Sequence, residues 1–211
     1  MDIKYLGHSS FFIKGHQAKL ITDPFDPKMV GLKFYKTEAD IVTISHHHKD
    51  HDYLEQISGN PLVIDWPGQY EKKEMRVYGF KSFHDKKLGE ERGENIIFKV
   101  EDELSVLHCG DLGCLPDDKF LDEIGEVDIL LAPVGGTYTI DAGEAVQLIK
   151  KIEPSIVIPM HYQTPAMKNL TPVSEFLKKI NAANVSPMAK LTIKKGELED
   201  EMKVVVLEIS N

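Results

Sequence analysis

Arginine is nearly missing from this sequence of 211 residues, with Arg76 and Arg92 its only two. The 25 basic side chains are otherwise scattered lysines, set against 34 acids for a net charge of −9. Nucleic-acid binding draws its affinity from clustered Lys and Arg against phosphates, so no nucleic-acid partner is expected and a small-molecule substrate is favoured. Cysteine is almost as scarce. Cys109 and Cys114 cannot build a disulfide framework, which fits a reducing compartment and a cytoplasmic location. No apolar run approaches the roughly 18 residues of a membrane span. The opening Met1-Asp2-Ile3-Lys4 has no charged region followed by an apolar one, so neither a secretory signal nor a membrane partner is expected. There is no Gly-x-Ser-x-Gly elbow to present a serine nucleophile. Linkers, low-complexity stretches and solenoid repeats are also absent.

Hydrophobic residues make up 42% and charged residues 28%, an ordinary globular balance. A chain of this length buries about 70% of its unfolded surface, and residues 1–211 are expected to form one domain, with a homo-oligomer left open. The first half reads as strands: Ile3–Leu6, Ser10–Lys14, Lys19–Thr22, Asp40–Ile44, Pro61–Ile64, Arg76–Phe80, Asn95–Val100 and Ser105–Cys109. The second half alternates. Helices are expected at Asp117–Ile124, Ala142–Ile152 and Pro172–Ala183, and strands at Asp128–Ala132, Ile156–Pro159, Lys190–Ile193 and Lys203–Leu207. Asp141 with Glu144 three residues on makes a capping box, and Thr171 before Pro172 reads as an N-cap followed by proline at the first helical position. The runs at 41–44, 129–131 and 156–158 are nearly all apolar, as in strands covered on both faces. The pattern predicts an α+β chain of two stacked sheets with helices outside.

The densest chemistry is Ser45-His46-His47-His48-Lys49-Asp50-His51, where four of the nine histidines fall in six positions. The run follows the apolar strand 40–44 directly, and ligands of α/β sheets gather at such strand ends. In an extended segment His46 and His48 point the same way, so both can face one metal. Asp50 and His51 lie where the chain is expected to turn into a helical stretch, Tyr53–Ile57, and can face a second position. Imidazole and carboxylate suit Zn²⁺, Fe or Mn²⁺. The plain alternative is a solvated histidine-rich loop, which the inserted Asp50 and the buried strand in front argue against. His84, His161 and Asp111 each sit just past an apolar strand as well, Asp111 across Gly110. Singly, each has an ordinary reading as a surface residue or a turn; jointly, they supply the ligands that the loop lacks.

The run His46-x-His48-x-Asp50-His51 resembles the signature of the metallo-β-lactamase-fold hydrolases. Further segments resemble the small branch of that superfamily with ascorbate-6-phosphate lactonase-like proteins. They are Tyr5-Leu6-Gly7-His8-Ser9, Ile21-Thr22-Asp23-Pro24, Phe83-His84-Asp85, His108-Cys109-Gly110-Asp111-Leu112-Gly113 and Ile158-Pro159-Met160-His161-Tyr162. The resemblance implies a four-layer αββα sandwich with a metal site at one edge of the sheets. It implies two divalent ions, Zn first with Mn or Fe as alternatives. His46, His48 and His84 would bind one, Asp50, His51 and His161 the other, and Asp111 would bridge them, with Asp23 orienting the ligand loop. His84 is preferred to His108, because His108 and Asp111 lie three apart on opposite sides of one strand; His108 reads as a packed, hydrogen-bonded residue. His8 is left open between pocket and backbone. Tyr162 reads first as a ring packed at the sheet edge, Cys109 and Trp66 as core, His47 and Lys49 as pointing away, His16 as exposed, and Glu197–Glu201 as a solvated hairpin turn.

The activity implied is a metal-dependent hydrolase using a metal-bound hydroxide on a small ester, lactone or phosphoester, with Asp50 or Asp111 taking the proton. Lys86, Lys87, Arg92 and Lys168 flank the ligands and are candidates for holding a phosphate. The alternatives are an iron-dependent redox enzyme on the same fold and a non-catalytic metal-binding protein.

Overall fold

Period-2 alternation in the first strands feeds two separate cores, and this fixes the layering. Strand β1 (Asp2–Gly7) buries Ile3 and Tyr5 on one face, and β2 (Ser10–Lys14) buries Phe11 and Ile13 on the same side. In β3 (Lys19–Thr22) Leu20 joins that core while Ile21 turns to the other, and in β5 (Ile41–Thr43) Ile41 and Val42 divide the same way. Side chains of a strand point alternately to its two faces, so a sheet with apolar residues at successive positions must be covered on both.

The computed structural model describes Met1–Ser210; Asn211, the last residue of the expected domain, lies outside them. The remaining strands are β4 (Thr37–Glu38), β6 (Ile57–Ser58), β7 (Leu62–Ile64), β8 (Gly68–Lys72), β9 (Met75–Phe83), β10 (Glu94–Glu101), β11 (Ser105–His108), β12 (Ile129–Pro133), β13 (Ile156–Met160), β14 (Leu191–Thr192) and β15 (Lys203–Val204). The helices are α1 (Pro27–Val30), α2 (Asp118–Ile124), α3 (Ala142–Ile152) and α4 (Val173–Lys179). One sheet runs β14-β1-β2-β3-β5-β7 and the other β15-β13-β12-β11-β10-β9-β8. The main core fills the space between them and continues through β12 and β13, buried at every position, to Ala145, Leu148 and Ile149 of α3 and Phe176 of α4. The smaller core, with Phe25, Val30 and Phe34, covers the outer face of the first sheet. The chain is thus an α+β, four-layer αββα sandwich. Its layers are unequal: α1 is a single turn, whereas α2, α3 and α4 cover the other side. No helix of the described residues is long and apolar enough to cross a membrane.

Several expectations are corrected. Tyr53–Ile57 is not helical: Tyr53 N donates to Pro24 O and Ile57 N to Leu54 O, and the segment enters β6, which pairs with β4. One amide is taken by a cross-loop carbonyl and the other closes a single i−3 turn, so no i−4 ladder forms. The third long helix is shorter than the span 172–183. Thr171 is held in both directions, by Gly135 O and Gln163 N, so Pro172 becomes the N-cap with extended ψ of 148° and no side-chain cap. Trp66 is 70% exposed, because it sits in the Asp65–Gly68 turn that carries the chain from one sheet to the other. The acidic stretch 197–201 is exposed but closes no hairpin; it links β14 in one sheet to β15 in the other. Strand β8 escaped the pattern because Gly-Gln-Tyr-Glu-Lys is an edge strand with little apolar character.

The capping box at α3 forms as expected: Asp141 Oδ1 accepts from the Gly143 and Glu144 amides, and Glu144 Oε2 accepts from the Asp141 amide. Asp141→Ala removes both cap bonds and should cost about 1 kcal/mol, read as a lower urea midpoint with an unchanged slope.

Candidate metal centre

Strand direction brings the expected ligands to one rim. In the first sheet β1, β3 and β5 run the same way, since β1 and β3 are both antiparallel to β2 and β5 is parallel to β3. In the second, β9, β11, β12 and β13 share a direction. His8, Asp23 and the 45–51 loop follow the C-terminal ends of β1, β3 and β5. His84, Asp111 and His161 follow those of β9, β11 and β13. The sheets are tied across the rim by His161 N donating to His8 O at 2.8 Å. His8, Asp23 and His161 all carry positive φ, 57°, 37° and 50°. Such backbone costs about 1–3 kcal/mol per residue and persists only where its surroundings enforce it.

At the centre stands the Asp111 carboxylate, 3% exposed overall. Its Oδ2 lies 3.2 Å from His161 Nε2 and 3.4 Å from the Nε2 atoms of both His51 and His84. Around it, donor atoms fall into three groups, each within 4.8 Å: His46, His48 and His84; His8, His51 and His161; and His46, His51 and Asp111. The imidazoles are crowded ring to ring, with centroids 4.2 Å apart for His46 and His51, 4.4 Å for His8 and His161, and 4.7 Å for His46 and His84.

This donor set fits divalent cations. The contacts to Asp111 are longer than the roughly 2.7–2.9 Å of a charge-assisted hydrogen bond. They match instead the spacing of about 3.3 Å between two donors that share a tetrahedral ion at about 2.0–2.1 Å. Buried His46 Nε2 and His51 Nε2 have no hydrogen-bond partner, while the Nδ1 atoms of the same rings are taken by Ser45 Oγ and Asp23 Oδ2. Unpartnered buried nitrogens cost about 1–3 kcal/mol each, and two of them set among the donors around Asp111 suit a cation as their shared partner.

Of the expected ligands, His46, His48, His51, His84, Asp111 and His161 are therefore brought together. Asp50 is beside them but in none of the three groups; its Oδ2 lies 3.3 Å from His8 Nε2 and 3.9 Å from His51 Nε2. His8, left open by the sequence, belongs to the cluster. His108 is buried with Nε2 2.8 Å from Ser9 O, the packed role expected of it. Cys109 is buried in the core, Tyr162 packs with its ring 5.9 Å from that of Tyr5, and His16 is exposed. His47 points outward, near Asp52 and Asp65, and Lys49 is exposed.

The support around these residues is extensive. Asp23 Oδ1 accepts from Ser45 N at 2.7 Å, and its Oδ2 accepts from Ser45 Oγ at 2.6 Å and faces His51 Nδ1 at 2.9 Å. That fixes the ligand loop and turns His51 Nε2 toward Asp111, the orienting role expected of Asp23. Sequence reasoning passed over Asn95. Its Oδ1 accepts from Asp111 N at 2.9 Å, and its Nδ2 donates to Ser82 Oγ and Cys109 O. The only signal in the sequence was an amide heading the apolar run Asn95-Ile96-Ile97-Phe98, and the structure buries that amide wholly. Gly113 is required by close approach: a Cβ there would stand 2.2 Å from Asp85 N and 2.3 Å from the carbonyl carbon of His84.

Electrostatics sort the cluster. Burial, aided by neighbouring imidazoles, drives His46 down to about 2 and His8 down to about 4. His84 is lowered for the same reason, with the Arg92 charge among the contributors. Burial also lowers His51, but Asp111 and Asp23 outweigh it and raise its pKa well above the ordinary value. Burial opposes ionisation of Asp111, yet His161 and His51 hold its pKa far below the usual carboxylate range. The space between His51 Nε2 and Asp111 Oδ2 thus calls for positive charge, whether a proton or a metal ion.

A family profile described as a beta-lactamase superfamily domain matches residues 2–161, and the chain belongs to that superfamily. Its relatives include a metal-dependent hydrolase of Carboxydothermus hydrogenoformans, 30% identical over 195 residues that cover 78% of this chain and 85% of that one. A Thermotoga maritima protein, assigned to the metallo-beta-lactamase superfamily as a Zn-dependent hydrolase, is 38% identical; the match covers 98% of this chain and 97% of that one, with a TM-score of 0.81. A metallo hydrolase from Ignicoccus hospitalis shares the fold at 20% identity and a TM-score of 0.66, over 92% of this chain and 99% of that one.

The lowered histidines set the acid response of the metal-free protein. Unfolded His8 and His46 take up protons near 6.5, while the folded ones stay neutral until about 4 and about 2. Between those values the unfolded state binds more protons, so stability falls as pH falls. His51, raised when folded, opposes the trend near pH 6.5, where its unfolded form is only half protonated, but toward pH 4 it is protonated in both states and leaves the trend to His8 and His46. Urea midpoints of chelated protein should drop from pH 6.5 toward pH 4, ahead of the carboxylate range; a flat profile would contradict the assignment.

Proposed function

We propose that this chain is a binuclear metal-dependent hydrolase of a small ester, lactone or phosphoester. The observation that carries the reading is the convergence of buried, unpartnered imidazoles around the ionised Asp111. In this reading His46, His48 and His84 hold one divalent ion. Asp50, His51 and His161 hold the second, with His8 beside them, and Asp111 serves both. Zn²⁺ is the first choice for neutral imidazoles with carboxylates, and Mn²⁺ or Fe are the alternatives. The naming of the Carboxydothermus and Thermotoga relatives as hydrolases supports the same class. The two cysteines, neither in a disulfide, favour a cytoplasmic setting.

When bound, the ions would polarise the group under attack and ionise water near neutral pH. The chain's own residues do the rest. Burial and its imidazole neighbours keep His46 neutral and so able to donate its lone pair. Burial opposes charge on Asp50, but the His8 contact prevails and keeps the carboxylate ionised. In this reading Asp50, whose side chain is 20% exposed, takes the proton of the attacking water and returns it to the leaving group. The nearby hydroxyls are engaged, Ser45 Oγ by Asp23 and Ser9 Oγ by Asp111. The Cys109 thiol is pushed up to about 12 by burial. No covalent nucleophile is required.

Protein expressed without added metal should contain two divalent ions per chain by element-resolved mass spectrometry. Asp111→Asn should lose metal and reduce hydrolysis across a panel of lactones, esters and phosphodiesters by at least about a hundredfold, the upper end of what losing a residue that merely supports a ligand costs. A chelated preparation that turns over the panel at the untreated rate would sink the reading.

A further inference from the structure

Four basic residues flank the cluster, and the structure separates them. Lys86 Nζ is 2.6 Å from Glu144 Oε1, and Lys87 Nζ is 2.6 Å from Glu91 Oε1. Lys168 lines no part of the opening beside His48. Arg92 does. An open cavity of about 450 Å³ is bounded by His48, Glu91, Arg92 and Gly93, a volume in the range of small-molecule sites. Among the described residues the guanidinium makes no ion pair and no side-chain hydrogen bond. Its Cζ instead lies 4.2 Å from the centroid of the Tyr138 ring. The one acid in the cavity wall, Glu91, is already neutralised by Lys87.

Arg92 is also built into the site. Asp85 follows His84 directly and accepts from four amides, Lys87 N at 2.7 Å, Gly89 N at 3.0 Å, Glu91 N at 3.1 Å and Arg92 N at 2.8 Å. The loop is closed again by His84 N donating to Gly93 O at 3.1 Å. A candidate ligand and a free arginine are thus fixed to one another by a short, clamped turn. On the far side Tyr138 is steadied by Asn169 Nδ2, which donates to its hydroxyl at 3.0 Å. A guanidinium stacked on a ring keeps its charge and its planar fork of donors facing solvent. In a chain of net charge −9 with only two arginines, such a fork at the mouth of a cavity selects an oxyanion.

We infer that Arg92 is the substrate-recognition residue of this site, and that the substrate carries an oxyanion, phosphoryl or carboxylate, which the guanidinium holds while the adjacent centre cleaves a separate bond. This rests on the hydrolase reading for its chemistry, but its test needs neither metal nor turnover. Chelated protein is titrated by calorimetry with inorganic phosphate and, separately, with acetate. At least one should bind the wild type saturably and bind Arg92→Gln about tenfold more weakly or worse. Arg92→Lys should fall between, because it keeps the charge and loses the fork. The thermal midpoint of Arg92→Gln should stay near wild type, since no hydrogen bond of the side chain is broken. The anion that responds identifies the group. Failure of both anions to saturate the wild type, or equal affinity in wild type and Arg92→Gln, overturns the inference while leaving the metal content of the protein to judge the hydrolase reading on its own.

Discussion

One buried carboxylate sets the terms for the rest of this molecule. Asp111 is anionic where burial disfavours charge: three imidazoles lie 3.2–3.4 Å from one of its oxygens, and two of them, His161 and His51, are what keep it so. Two of those imidazoles come from the second sheet and one from the first. The arrangement therefore exists only while the sheets are stacked in this register. Taking a charge out of water is tolerated only with close and well-placed partners, which is why so much of the surrounding structure is devoted to holding those partners still.

The means of holding them are backbone devices more than packing. Asp23 fixes the ligand loop through Ser45 and His51. Asn95 fixes the amide of Asp111 itself. Positive φ at His8, Asp23 and His161 places each side chain where a regular strand would not aim it. Strain of this kind concentrates at sites whose geometry must be enforced, and here all three residues touch the cluster or its direct supports. The sandwich core supplies the rigidity against which that strain is held.

The rim differs from the centre. The cluster is nearly closed to solvent, whereas His48, Asp50 and Arg92 face outward. In the functional reading proposed above, chemistry belongs to the buried set of donors and recognition to a short loop clamped by Asp85. His84 and Asp85 are consecutive, so that loop joins the cluster through one peptide bond.

The sequence by itself determined a great deal here. The apolar strands of the first half, the alternating second half, the capping box at Asp141 and the identity of six of the clustered residues are legible, because strand ends, apolar runs and the spacing from His46 to His51 are local properties of the chain. What only the tertiary structure decided is which side chains meet. His8 joins the cluster, Asp50 stands at its margin, and Asn95 turns out to hold Asp111. Trp66, expected in the core, lies on the surface, and Tyr53–Ile57 makes one cross-loop bond and a single turn instead of a helix. Each of these depends on left-handed backbone or on contacts between residues far apart in sequence. Such directions and distances are fixed when the two sheets pack, and no pattern along the chain carries them.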